Sequence, residues 1–160
     1  MDEAILGASA KKVQDALVAR GFSCRIIEMP STTRTAKEAA GAIGCTVAQI
    51  AKSLLFKTRQ TQRPVLVIAS GTNRVNETAL GTLVGEPVEK ADAGFVRDTT
   101  GFAIGGVPPL GHASPILTFL DEALRQYAEI WAAGGSPTAV FQLAPADLEL
   151  MTGGQWAKVS

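Results

Sequence analysis

Two strongly apolar segments, KSLLFK at 52–57 and VLVIAS at 65–70, flank a polar stretch at 58–64 and constrain the fold more than any other feature. Six-residue runs of Leu, Val, Ile and Phe are strand-length, so the pair predicts a hairpin closed by a longer loop. The rest of the chain carries helix punctuation. Val13 and Leu17 stand four apart in a predicted helix over 9–20 that Gly21 closes. Thr35-x-x-Glu38 is a capping box opening a helix through Ala39, Ala40 and Ile43, with Gly44 to end it. Thr46 caps a short turn over 47–50. Helices are also predicted over 77–84, over 91–99 up to Gly101, and from Pro145 to Met151 ahead of Gly153-Gly154. Short strands fall at 24–29, 87–89, 116–120, 129–132 and 139–143. Helices mixed with hairpin-like strands give an α+β fold with a mixed sheet, read as a single domain over 1–160. With 46% hydrophobic residues, a chain of 160 residues needs no metal or disulfide staple to bury its core.

Several functions are excluded. Cys24 and Cys45 form no C-x-x-C pair, and only His112 could join them, so a structural zinc site is ruled out. Both cysteines are expected to be small core residues in a reducing compartment. The opening MDEAILGASAKK puts acids ahead of a short apolar stretch, unlike a signal peptide. The apolar run 65–69 is far too short to span a bilayer, so the expectation is a cytoplasmic protein with no membrane partner. No G-x-x-x-x-G-K-[ST], G-x-G-x-x-G or G-x-S-x-G string occurs, and no carboxylate pair suggests metal or glycosidase work. No cofactor and no metal are expected. An enzyme of this composition works with few catalytic side chains.

Charge is unevenly spread. The net charge is zero, which argues against indiscriminate nucleic-acid binding, and DNA is not an expected partner. Residues 34–63 nevertheless hold six bases (Arg34, Lys37, Lys52, Lys57, Arg59, Arg63) against the single acid Glu38. Such a local basic segment suits a polyanion touching one face, or else forms a solvated surface.

Two features carry chemistry. By strand alternation Lys52 shares a face with Leu54 and Phe56. A lysine there either reaches to the rim, the commoner outcome, or is held in a partly dry cleft. GFAIGGVPPLGH at 101–112 reads as a strand running into a rigid loop, whose Gly105, Gly106 and Gly111 let a ligand approach the backbone. Free N–H groups in such a loop could hold an anion or a developing oxyanion, although glycines also serve tight turns. His112 is either structural or an acid–base group.

These segments, TAKEAAGAIGCTVAQIAKSLLFK (35–57), PVLVIASGTNRVN (64–76), TGFAIGGVPPLGH (100–112) and FQLAPADLELMTGG (141–154), together resemble the YbaK/EbsC family. Its members are stand-alone relatives of the prolyl-tRNA synthetase editing domain. The resemblance implies a curved mixed sheet surrounded by helices, and an activity: trans-editing, the metal-independent hydrolysis of the ester joining a wrong amino acid to a tRNA. Lys52, Gly105 and Gly106 match the family's catalytic positions. Ser53, Val107, Pro108, Gly111, His112, Ala133 and Val140 are implied as substrate contacts. Arg34, Lys37, Lys57 and Arg59 then become contacts to acceptor-stem phosphates of the aminoacyl-tRNA. A synthetase is a second implied partner.

The sequence departs from family members resembling the Cys-tRNA deacylase, which carry serine and aspartate where Ala133 and Val140 stand here. The apolar replacements favour a small apolar amino acid such as alanine on tRNA-Pro. They also leave open a rival, a non-catalytic module that binds aminoacyl-tRNA or a synthetase.

Overall fold

A computed structural model describes residues 6–160, so the first five residues of the opening segment lie outside the described part. Helix α1 (Ala8–Ala19) precedes strand β1 (Ile27–Glu28) and helix α2 (Ala36–Ile43). A 3-10 turn at Val47–Gln49 leads into β2 (Ile50–Thr58) and β3 (Pro64–Ser70). Helix α3 (Glu77–Val84), β4 (Val88–Lys90) and α4 (Ala93–Thr100) follow. The chain closes with β5 (Leu117–Asp121), a 3-10 turn at Glu122–Gln126, β6 (Ile130–Ala133), β7 (Ala139–Leu143), α5 (Pro145–Thr152) and β8 (Gln155–Ala157).

The local signals act as expected. The Thr35 hydroxyl accepts from the Glu38 N–H, and Glu38 Oε1 accepts from the Thr35 N–H, closing the capping box. Gly44 ends α2 in the left-handed conformation, φ +89°, which favours glycine. The strand expected at 24–29 is reduced to two residues at the sheet edge. The strand expected before Gly105 does not form, because the Thr100 hydroxyl accepts from the Phe102 N–H and turns the chain at the end of α4. Strand β8 escaped prediction.

All eight strands join one mixed sheet in the order β1-β7-β6-β2-β3-β5-β8, with β4 also paired to β2. The β2–β3 hairpin is antiparallel, with Lys52 opposite Ala69 and Phe56 opposite Val65. Strand β3 is apolar at nearly every position because both of its faces are covered. Leu66 and Ile68 join a core with Val13 and Leu17 of α1, Val96 of α4, Phe141 of β7 and Leu148 of α5. Val65, Val67 and Ala69 pack on the other face against Leu80, Val88 and Phe119. A third cluster packs Ala39 and Ala40 of α2 on Ile50. Cys24 and Cys45 are only half-buried, contrary to expectation, since each sits in a connection at the margin of a cluster.

One irregularity positions the site. Strand β2 has β3 along one edge, but its other edge is shared. Ile50 and Ala51 pair in parallel with Trp131 and Ala132 of β6, while Phe56 to Thr58 pair with β4. Residues 52–54 therefore have no strand beside them on that edge among the described residues. The sheet splits there.

Candidate functional site

A cavity of about 430 Å³ occupies the split. Its floor is β2 from Ile50 to Leu54, and its far wall is Trp131, Ala132 and Ala133 of β6 with Val140 of β7. Thr33, Arg34, Thr35 and the first turns of α2 (Ala36, Ala39) form one side; Ile104, Gly105 and Val107 hang over it. The lining is largely apolar, with Lys52 as a charged side chain on the floor and Arg34 at the lip.

Lys52 occupies the partly dry cleft, not the rim. Its Nζ donates to the Gly71 carbonyl at 3.3 Å. Burial pushes its pKa below the ordinary lysine value; Asp121 pulls it back up, and Arg74 and Lys90 push it down again. Gly71 is the side chain that has to be missing. A Cβ there would stand 2.2 Å from the Val47 carbonyl oxygen, so the turn after β3 lies directly on the 3-10 turn before β2.

The glycine-rich loop divides its work. Gly105 has φ +90°, and a Cβ on it would meet Arg34 Cγ at 2.4 Å, so the arginine stem lies flat on its backbone. A Cβ on Gly106 would meet the Ser136 backbone at 2.9 Å, which seats the loop on the turn between β6 and β7. The Gly106 N–H donates to the Ala103 carbonyl at 3.0 Å and is not free to receive an oxyanion. The Gly105 and Val107 N–H groups meet no acceptor among the described residues. The Ile104 N–H meets none either, so the three loop residues that line the cavity all keep an unengaged donor.

Of the sequence-derived site residues, Lys52, Ser53, Gly105, Val107, Ala133, Val140 and Arg34 line the cavity. Gly106 backs it. Pro108 is buried behind the loop, and Gly111 lies against Ala16 of α1. His112 does not reach the cavity: its Nε2–H donates to the Pro108 carbonyl at 2.6 Å, and burial lowers its pKa, so it clamps the loop as a neutral ring. Lys37 is exposed on the first turn of α2. Lys57 and Arg59 lie toward the far end of β2, with Lys57 roughly 17 Å along the strand from Lys52. Both pair with Glu89 at 3.7 Å, and the Lys57 ammonium sits over the Phe95 ring. Sequence reasoning missed Thr33, Ala39, Gly71, Ile104 and Trp131. Gly71 left a trace as a lone glycine directly after an apolar strand, and Ile104 lies inside the 101–112 loop.

Among the described residues, no three His, Cys, Asp or Glu side chains gather as a metal site, and no helix is long and apolar enough to cross a membrane.

Residues 30–150 match the family model for the aminoacyl-tRNA editing domain. A crystal structure described as a candidate trans-editing enzyme for prolyl tRNA synthetase superposes with a TM-score of 0.91 at 47% identity, over 98% of this chain and 99% of that one. EbsC of Enterococcus faecalis, named as a candidate Cys-tRNA(Pro)/Cys-tRNA(Cys) deacylase, is 28% identical over 79% of this chain and 77% of that protein. The proline–tRNA ligase of Brachyspira hyodysenteriae is 31% identical over 52% of this chain and 14% of the ligase.

Proposed function

The chain belongs to the aminoacyl-tRNA editing domain family, of the YbaK/EbsC kind, and from that premise we propose that it is a trans-editing deacylase. Its substrate is a tRNA carrying the wrong amino acid, with alanine on tRNA-Pro the leading case, and its place of action is the cytoplasm. One observation carries the reading: a partly desolvated lysine on the floor of a small, largely apolar cavity, overhung by a loop with unengaged N–H groups.

The chemistry asks little of side chains. An aminoacyl ester is already reactive, so positioning and polarisation of its carbonyl can suffice. Water, assisted by the neighbouring ribose 2′-hydroxyl, adds to the carbonyl carbon. The oxygen that gains negative charge is met by the N–H groups of Gly105 and Val107. Collapse of the tetrahedral intermediate breaks the bond to the ribose 3′-oxygen, which leaves with a proton, and frees the amino acid. Lys52 holds the terminal nucleotide or the carbonyl by its charge. Ala133, Val140 and Ala39 line the far wall and one side with small or apolar groups, which supports alanine over a polar substrate. Arg34 and Lys37 flank the incoming acceptor end, while Lys57 and Arg59 meet phosphates further along the stem. No metal takes part.

The test is deacylation of Ala-, Cys- and Ser-charged tRNA-Pro, beside correctly charged Pro-tRNA, with a chelator present throughout. Wild type should release one wrong amino acid, and Lys52→Ala should lower kcat about 100-fold, the usual size for loss of an electrostatic contact in the transition state. Equal rates for the two proteins remove Lys52 from the mechanism. No release from any substrate, with tRNA binding intact, makes the chain a binding module.

A further inference from the structure

Asp121 ends β5 and is only 2% exposed, a position a carboxylate takes only when it is fully partnered. Its Oδ1 accepts from the Ala123 N–H at 3.0 Å, which caps the 3-10 turn at Glu122–Gln126. A cap requires nothing more. Its Oδ2 is committed elsewhere, accepting from the Ser70 N–H and from Asn73 Nδ2, each at 2.9 Å. Ser70 ends β3, and Asn73 closes the turn that follows by donating its own N–H to the Ser70 carbonyl at 2.9 Å. The carbonyl of Gly71 in that turn receives the Lys52 ammonium. The Ser70 hydroxyl donates to the Ala48 carbonyl at 2.7 Å, tying the same turn to the segment that precedes β2.

We propose that Asp121 is a positioning residue for Lys52, fixing the 70–73 turn against which the lysine is held and setting a buried negative charge behind it. The chemistry favours a carboxylate over an amide. Three N–H donors converge on two oxygens, and an amide would turn its own N–H group toward one of them. The charge acts in the same direction as the geometry. Of the charged groups acting on Lys52, Arg74 and Lys90 disfavour its ammonium form, while Asp121 favours it. The inference rests on the reading of Lys52 as the working lysine, but it is measured on the lysine itself.

The experiment follows the titration of the Lys52 ammonium by NMR, together with kcat for deacylation, in wild type, Asp121→Asn and Asn73→Ala. A thermal melt checks each protein for folding. Folded Asp121→Asn should titrate at lower pH than wild type and lose at least tenfold in kcat. Asn73→Ala keeps the charge and strips one donor from the turn, so it should lose several-fold in kcat with the titration nearly in place. An unmoved lysine titration in folded Asp121→Asn overturns the proposal. If Asp121→Asn does not fold, an unaltered kcat in Asn73→Ala overturns it. Failure of the underlying reading looks different: Lys52→Ala would then retain activity whatever Asp121 does.

Discussion

Gly71→Ala isolates the seat of the lysine, since Gly71 is not in the left-handed region and only space opposes a methyl group there. The added Cβ would stand 2.2 Å from the Val47 carbonyl oxygen, about 0.8 Å inside the 3.0 Å floor for such contacts, and 3.0 Å from both Ala36 Cβ and Val47 Cγ1. The carbonyl belongs to a turn tied at both ends, so the 70–73 turn has to give way. Overpacking of this kind costs about 1–3 kcal/mol of stability. The same displacement lengthens the Lys52–Gly71 contact, already 3.3 Å, beyond hydrogen-bond range. Loss of a charged hydrogen bond at the weaker end of its range, about 1.5 kcal/mol, lowers kcat roughly tenfold. Gly41→Ala is the control. It lies in α2 with nothing within 4 Å of its added Cβ, and should stabilise by about 0.5–1 kcal/mol with kcat unchanged. Urea unfolding and single-turnover deacylation of both variants decide the matter. A Gly71→Ala protein as stable and as fast as wild type would refute the packing argument and the seat together.

Two further outcomes are expected. Glu86, its side chain 8% exposed, accepts from the Thr61 hydroxyl, the Thr61 and Gln60 N–H groups and Arg63. These bonds, the Thr61 hydroxyl foremost, hold its pKa down to about 2 against an ordinary 4.5. A depressed carboxylate stabilises the fold fully above its ordinary pKa, and the contribution fades as pH falls from about 4.5 through about 2. Melting curves of Glu86→Gln should lack that acid decline, and profiles that parallel wild type would contradict the lock on the β2–β3 loop. His112→Ala should cost about 1 kcal/mol through the lost bond to Pro108 while leaving KM for aminoacyl-tRNA unchanged. Because burial lowers the His112 pKa below the ordinary 6.5, its stabilisation is full above pH 6.5 and declines below it. A tenfold rise in KM at unchanged stability would return His112 to the substrate surface.

What was legible in the sequence was local. The Thr35–Glu38 box, the Gly44 and Gly153 stops and the hairpin strands depend on residues within a few positions of one another, so spacing reveals them. The site depends on the parallel pairing of Ile50 with Trp131, eighty-one positions apart, and no local period records it. Strand alternation and glycine content single out Lys52 and the Gly105 loop, and resemblance gives them roles, but whether the lysine is wet or dry depends on the cavity around it. The six bases of 34–63 looked like one footprint, yet β2 stretches them apart and Glu86 and Glu89 engage Arg63, Lys57 and Arg59. Gly71 and Asp121 were invisible for a related reason. Each is constrained by atoms of a different element, the Val47 carbonyl in one case and the Ser70 N–H in the other.

The split beside β2 has a consequence for how such a site varies. Leu55 turns its carbonyl to Ala91 on the shared edge, so by alternation Ser53 is the residue whose N–H and C=O face the opening. Peptide groups are common to every residue type except proline, which lacks the N–H. A substitution at position 53 exchanges the side chain and keeps the donor and acceptor in place. The walls differ, because Ala39, Ala133 and Val140 present only side chains, and each can be redrawn by a single codon. Drift can therefore reshape the outline of the cavity while its polar edge is inherited unchanged.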